Sequence, residues 1–180
     1  MMTRKIVQVG NKNLRAFCKK IDTSVLTSYA SKRLIASMHK RLIKIGGVGL
    51  AAPQVGVQMQ LFVVRIYPTK YRPNIETVEP YTVINPTILS RSPQIASDYE
   101  GCFSVAEANL FAKVSRPKDI EVSYYNEEGL SVTRKLSGLE ARVFQHEYDH
   151  LQGKVFLDCI VDLQSVMSGD EYRFHQGLTS

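Results

Sequence analysis

The chain has no apolar run of membrane-spanning length, no internal repeat, no low-complexity tract and no long linker among its 180 residues. These absences set aside spanning segments and repeat arrays. Cysteine is scarce too. Cys18, Cys102 and Cys159 are odd in number and irregularly spaced, which argues against a secreted disulfide scaffold. The opening Met1-Met2-Thr3-Arg4-Lys5 runs at once into Ile6-Val7-Gln8-Val9, too short for a signal h-region. The expectation is a soluble protein of the cytoplasm or an organelle, with no membrane association. A hydrophobic fraction of 44% suffices for one core and hardly for two, so residues 1–180 are expected to form a single domain. Acidic residues do not dominate, and the net charge is +6. That balance permits attraction to nucleic acid, but Lys40, Arg41 and Lys44 fall opposite an apolar stripe, as on a solvated face. No specific nucleic-acid binding is expected.

What is present reads as a mixture of helices and strands. Ser28 to Lys44 has Ile35, Met38, Leu42 and Ile45 on one stripe, with Gly46-Gly47 to end a helix. Strands are expected at Leu61–Ile66, Tyr81–Leu89, Ile120–Tyr125 and Leu130–Leu136, the last two joined through Asn126–Gly129 as a hairpin. Tyr67 to Pro80, with three prolines, reads as a surface loop. A second helix is expected from Leu139 to Gln152 and a weaker one from Val161 to Phe174. Strands clustered around one central helix indicate an α+β fold with antiparallel sheets.

The central helix carries His146-Glu147-Tyr148-Asp149-His150. Residues four apart share a helix face, so both imidazoles can reach one metal ion with the Glu147 carboxylate beside it. A water-activating site needs three protein ligands and one open position. Downstream, Asp158, Cys159, Asp162, Glu171 and His175 do not stand in the spacing that follows such a helix in metzincins. Upstream, Glu100-Gly101-Cys102-Phe103-Ser104 sets a lone cysteine after a glycine, and Cys102 is the best candidate. A free cysteine is more often a small buried hydrophobe, the reading given to Cys18 and Cys159. Gly101, however, suits a backbone pressed close to something. A third segment, Gly46-Gly47-Val48-Gly49-Leu50-Ala51-Ala52-Pro53-Gln54, lets main chain approach main chain closely. In it, Gln54 offers an amide that can donate to a developing oxyanion. No Lys-Ser or Lys-Thr pair follows its glycines, so it is no phosphate loop.

GVGLAAPQ (47–54), EGCFS (100–104) and QHEYDHL (145–151), in that order and separation, resemble the three signature motifs of the peptide deformylases. The resemblance implies an enzyme that removes the formyl group from the N-terminal formyl-methionine of newly made polypeptides, with the ribosome as a neighbour. It implies Cys102, His146 and His150 as metal ligands and Glu147 as general base and acid. Gln54 and the backbone N–H of Phe103 would receive the oxyanion. Val48 and Gly49 would line the substrate, with the Gly49 backbone pairing to it. The metal would be one divalent ion, usually ferrous iron in that family, with nickel, cobalt or zinc accepted.

Two departures stand out. The family's usual leucine after the cysteine is Phe103 here. Beyond Ser104 the run Val105-Ala106-Glu107-Ala108-Asn109-Leu110 replaces the family's Val-Pro or Ile-Pro and lacks an evident counterpart of the arginine that holds the peptide. For the methionine side chain, Val48, Leu139 and Val143 are the candidate walls, although i and i+4 apolar residues on a helix also serve plain core packing. Glu100 and Arg116 are expected to form an ion pair that holds the cysteine loop, which would add little stability if exposed, with Arg142 meeting Glu140 or solvent. Two rival functions are a zincin-type metallopeptidase using Asp158 or Glu171 as third ligand, and a non-catalytic binding protein that keeps the fold.

Overall fold

The computed structural model of the protein describes residues 5–68 and 74–177. The first helix, α1, spans Tyr29–Ile45. The Ser28 hydroxyl caps it by accepting from the Ser31 N–H, and Gly46 closes it in the left-handed region at φ 67°. Its buried stripe is Ile35, Met38 and Leu42, so the helix lies within one residue of its expected bounds.

Five strands form the larger sheet, in the order β1-β2-β3-β6-β7. They are β1 (Gly49–Ala51), β2 (Leu61–Ile66), β3 (Val78–Arg91), β6 (Asp119–Tyr125) and β7 (Ser131–Ser137). Every pairing is antiparallel. β6 and β7 form the expected hairpin, where Asn126 Oδ1 accepts from the N–H groups of Glu128 and Leu130.

β2 explains why its apolar run does not alternate. Leu61 and Val63 belong to the core cluster that includes Ile35, Met38 and Leu42 of α1. Phe62, Val64 and Ile66 belong to a second cluster with Ala141, Val143, Phe144 and Leu151. Those four residues lie on α2, which spans Gly138–Leu151. Successive side chains of a strand point to opposite faces, so the stretch covered on both sides by helices, residues 61–64, is apolar at every position, and the half-buried Arg65 interrupts the run only beyond it. Phe62 and Phe144 meet edge to face, with ring centroids 5.0 Å apart.

The smaller sheet, β4-β5-β8, was not anticipated. It pairs β4 (Ile95–Gly101) with β5 (Leu110–Pro117) over seven residues, and β5 with β8 (Met167–Ser168). Beneath it, Cys102, Val105, Ala112, Val114 and Phe156 form a third cluster. The expected helix from Val161 to Phe174 is broken in three. Asp162 caps a short turn at Leu163–Ser165, Met167 and Ser168 pair with β5, and the Ser168 hydroxyl starts α3 (Gly169–His175). Within the expected loop from Tyr67 to Pro80, residues from Val78 on belong to β3, and 69–73 lie outside the described residues.

Candidate active site

The two sheets and α2 bring the three motif segments to one place. Cys102 directly follows β4, while His146 and His150 stand one turn apart on α2. The ligand atoms of Cys102, His146 and His150 all lie within 4.8 Å of one another, with Cys102 Sγ 3.3 Å from His150 Nε2. The two imidazole rings are nearly perpendicular, at 78°, with centroids 5.1 Å apart. A tetrahedral ion with ordinary metal–sulfur and metal–nitrogen bonds holds sulfur and nitrogen about 3.5 Å apart, so the observed separation suits a single cation. His150 Nδ1 and Glu147 Oε2 are buried with no hydrogen-bond partner among the described residues, unusual for buried polar atoms. Asp158, the acidic ligand of the metallopeptidase alternative, is engaged elsewhere. It pairs with Arg15 and accepts from the Val155 N–H at 2.8 Å.

The orientation of His146 comes from β4. Its Nδ1 lies 2.9 Å from Glu100 Oε2, which leaves Nε2 to face the cysteine. Glu100 is buried and also accepts from Arg116 Nε at 2.6 Å, Arg116 Nη2 at 2.9 Å and Arg142 Nη1 at 2.8 Å. The expected Glu100–Arg116 pair is thus present, and it is a buried bidentate bond rather than an exposed one. Arg142 meets neither Glu140 nor solvent. It donates to Glu100 and to the carbonyls of Val114 and Ala96, and Glu140 pairs with Arg134 instead. Arg116 spends its remaining nitrogen on Asp149 of α2, at 2.8 Å.

Burial by itself would raise the Glu100 carboxyl. Hydrogen bonds from Arg116 and His146 outweigh it and hold the group well below the usual carboxylate range. Glu147 faces the opposite balance. Burial pushes it up to about 7, with His146 and Arg116 opposing and the Glu100 charge adding to the rise. Burial also drives His150 down, leaving a neutral imidazole with a lone pair to share.

Gln54 lies in a short 3-10 turn, Ala52–Val55, after β1. Its Oε1 accepts from the Ala51 N–H at 2.7 Å, so its amide nitrogen must face the other way. There Nε2 lies 3.4 Å from Cys102 Sγ and 3.3 Å from Ser104 Oγ. The Phe103 N–H has no hydrogen-bond partner among the described residues. Val48, Gly49, Leu139 and Val143 line a cleft together with Gln54, Cys102, Phe103, His146 and Glu147. Leu139 and Val143 also pack into the apolar cluster beneath it, so lining and core packing coincide.

Glycines mark the close approaches. A Cβ on Gly47 would lie 2.8 Å from the Phe103 ring, and one on Gly101 would lie 2.6 Å from the Phe111 ring. Gly101 therefore makes room for Phe111. Sequence reasoning overlooked Tyr99 and Arg142 as cleft residues. Tyr99 lies on a strand that was not anticipated, and a buried arginine reads from sequence as a surface charge.

Residues 3–166 match the family model described as polypeptide deformylase. Peptide deformylase 2 of a Nostoc species is 34% identical over 171 residues, covering 93% of this chain and 92% of that protein. The peptide deformylase of Thermotoga neapolitana is 41% identical over 131 residues, 73% of each chain. Among solved structures, the Met-Ala-Ser-bound class I type b peptide deformylase of Acinetobacter baumannii superposes with a TM-score of 0.83 at 29% identity, covering 88% of this chain and all of that one. The peptide deformylase of Thermotoga maritima gives a TM-score of 0.76 at 36% identity, covering 90% of this chain and all of that one. With the match running through all three motif segments and the fold in common, the chain belongs to the polypeptide deformylase family.

Proposed function

We propose that this chain, as one catalytic domain over residues 1–180, hydrolyses the formyl group from the N-terminal formyl-methionine of newly made polypeptides, releasing formate and a free amine. Family membership supports the reaction. The observation that carries the site assignment is the convergence of Cys102, His146 and His150 beside an unpartnered Glu147 oxygen. Those three residues hold one divalent ion, ferrous iron natively, with zinc, nickel or cobalt as substitutes. Sulfur and imidazole donors accept any of the four.

When bound, the ion lowers the pKa of water and polarises the formyl oxygen. Glu147 takes the proton of the attacking water and returns it to the departing nitrogen. A carboxyl held near neutrality suits both halves of that task. Gln54 Nε2 and the Phe103 N–H receive the oxyanion, and losing one such donor typically costs on the order of 100-fold in rate. Val48, Leu139 and Val143 wall the methionine side chain. Among the described residues β1 is an edge strand paired only to β2, so the Gly49 backbone is placed to pair with an extended peptide.

A thiolate ligand is oxidisable, which fits a reducing cytoplasm or organelle, with the ribosome as a neighbour. No described helix is long and apolar enough to cross a membrane. The test is formate release from a formyl-methionyl peptide by anaerobically purified protein, with metal analysis of the same sample. A loaded site that releases no formate would refute the reading and favour a non-catalytic role.

A further inference from the structure

The segment after the cysteine has an unusual backbone. Ala106, Glu107 and Ala108 all adopt positive φ, at 47°, 55° and 66°. Each carries a Cβ, for which the left-handed region is disfavoured, and three in a row persist only where the surroundings fix them. The fixing bonds lie on either side of Phe103. The Cys102 carbonyl accepts from the Val105 N–H at 2.9 Å and the Ala108 N–H at 3.1 Å. That carbonyl and the Phe103 N–H are opposite ends of one planar trans peptide, so holding the oxygen aims the N–H.

A single side chain from the N-terminal segment spans this turn. Gln8 Nε2 donates to the Phe103 carbonyl at 2.8 Å, and Gln8 Oε1 accepts from the Glu107 N–H at 3.2 Å. The backbone beside it ties down both donor-bearing segments. The Val7 N–H donates to the Gln54 carbonyl at 2.9 Å and the Val9 N–H to the Ser104 carbonyl at 2.7 Å.

We infer that Gln8 is a positioning residue for oxyanion stabilisation: its amide ties the Phe103 carbonyl to the middle of the left-handed turn, at the Glu107 N–H, and thereby aims the Phe103 N–H into the cleft. The inference rests on the proposed role of that N–H. Gln8 is not among the residues that line the cleft, and its side chain bonds Phe103, Glu107 and, at 3.5 Å, the Ile6 carbonyl but no metal ligand, so it acts through Phe103 and the turn. Because the donor is worth most where charge develops, loosening it lowers kcat and leaves KM nearly unchanged.

The experiment compares Gln8→Met, which nearly keeps the volume but removes all of the side-chain hydrogen bonds, with Gln8→Ala in the metal-loaded protein. Both variants are expected to lose roughly 10-fold in kcat, with KM for a formyl-methionyl peptide within about twofold and metal content unchanged. Amide exchange at the Phe103 N–H, followed by NMR, is expected to accelerate in both. Wild-type kcat and exchange in Gln8→Met would overturn the inference, and so would a kcat loss that tracks metal loss. If the wild-type protein itself releases no formate, the proposed function fails instead, and unchanged exchange at Phe103 would separately reject the clamp.

Discussion

A Cβ at position 49 would stand 2.4 Å from Glu147 Oε1. The glycine of β1 is thus an imprint of the carboxylate opposite it. No left-handed backbone is involved, so the constraint is the space that the acid occupies. Gly49→Ala is expected to fold and to bind metal, but to displace Glu147 and cut kcat by about 100-fold. Steady-state kinetics beside metal analysis would check it, and wild-type turnover would show that the carboxylate moves aside harmlessly.

Glu100→Gln tests the buried charge hub. The substitution removes the anion that faces Arg116, Arg142 and His146. Stranding buried cations costs about 3–5 kcal/mol, read as a lower urea midpoint. Losing the partner of His146 Nδ1 should also weaken metal affinity by roughly 10–100-fold. A variant as stable as the parent would mean that the two arginines find water or other acceptors.

Cys102→Ser should abolish tight metal binding while leaving the apolar clusters intact, because the side chain nearly keeps its volume but gives up the thiolate. Metal analysis after dialysis against a chelator provides the measurement. Full occupancy in the variant would remove the cysteine from the ligand set.

Acid sensitivity has a separate source in His39. Its Nε2 lies 3.0 Å from Thr82 Oγ1, whose hydroxyl donates to Glu127 Oε2 at 3.0 Å. Burial lowers the imidazole pKa below its ordinary 6.5, against a smaller pull from Glu127. The unfolded chain therefore binds this proton more readily than the folded one. The contribution is present above pH 6.5 and lost as the pH falls below it. His39→Gln should flatten the decline of the unfolding midpoint between pH 7 and pH 5, and an unaltered slope would assign the decline to other groups.

The sequence was legible where one physical rule acted alone. The 3.6-residue period placed α1 and α2 within a residue or two, and the four-residue loop from Asn126 to Gly129 placed the β6–β7 hairpin. The ligand trio was found by chemistry and motif order. β4 and β5 were missed because their inward positions include Glu100 and Arg116, so the usual contrast of apolar inside and polar outside fails there. Arg142 was misplaced for the same reason. The turn at Ala106–Ala108 was illegible for another: alanine and glutamate do not advertise positive φ, and beside the local bonds to the Cys102 carbonyl one of its N–H groups is held by Gln8, 99 positions away.

The hub formed by Glu100, Arg116 and Arg142 joins the small sheet to α2 through ions rather than hydrocarbon. The hydration of charged groups grows less favourable on warming, while apolar stabilisation per unit area plateaus. Heat therefore favours this junction relative to the greasy layers on either side of the large sheet. The cysteine and the two histidines should keep their mutual distance at temperatures where α1 has begun to loosen.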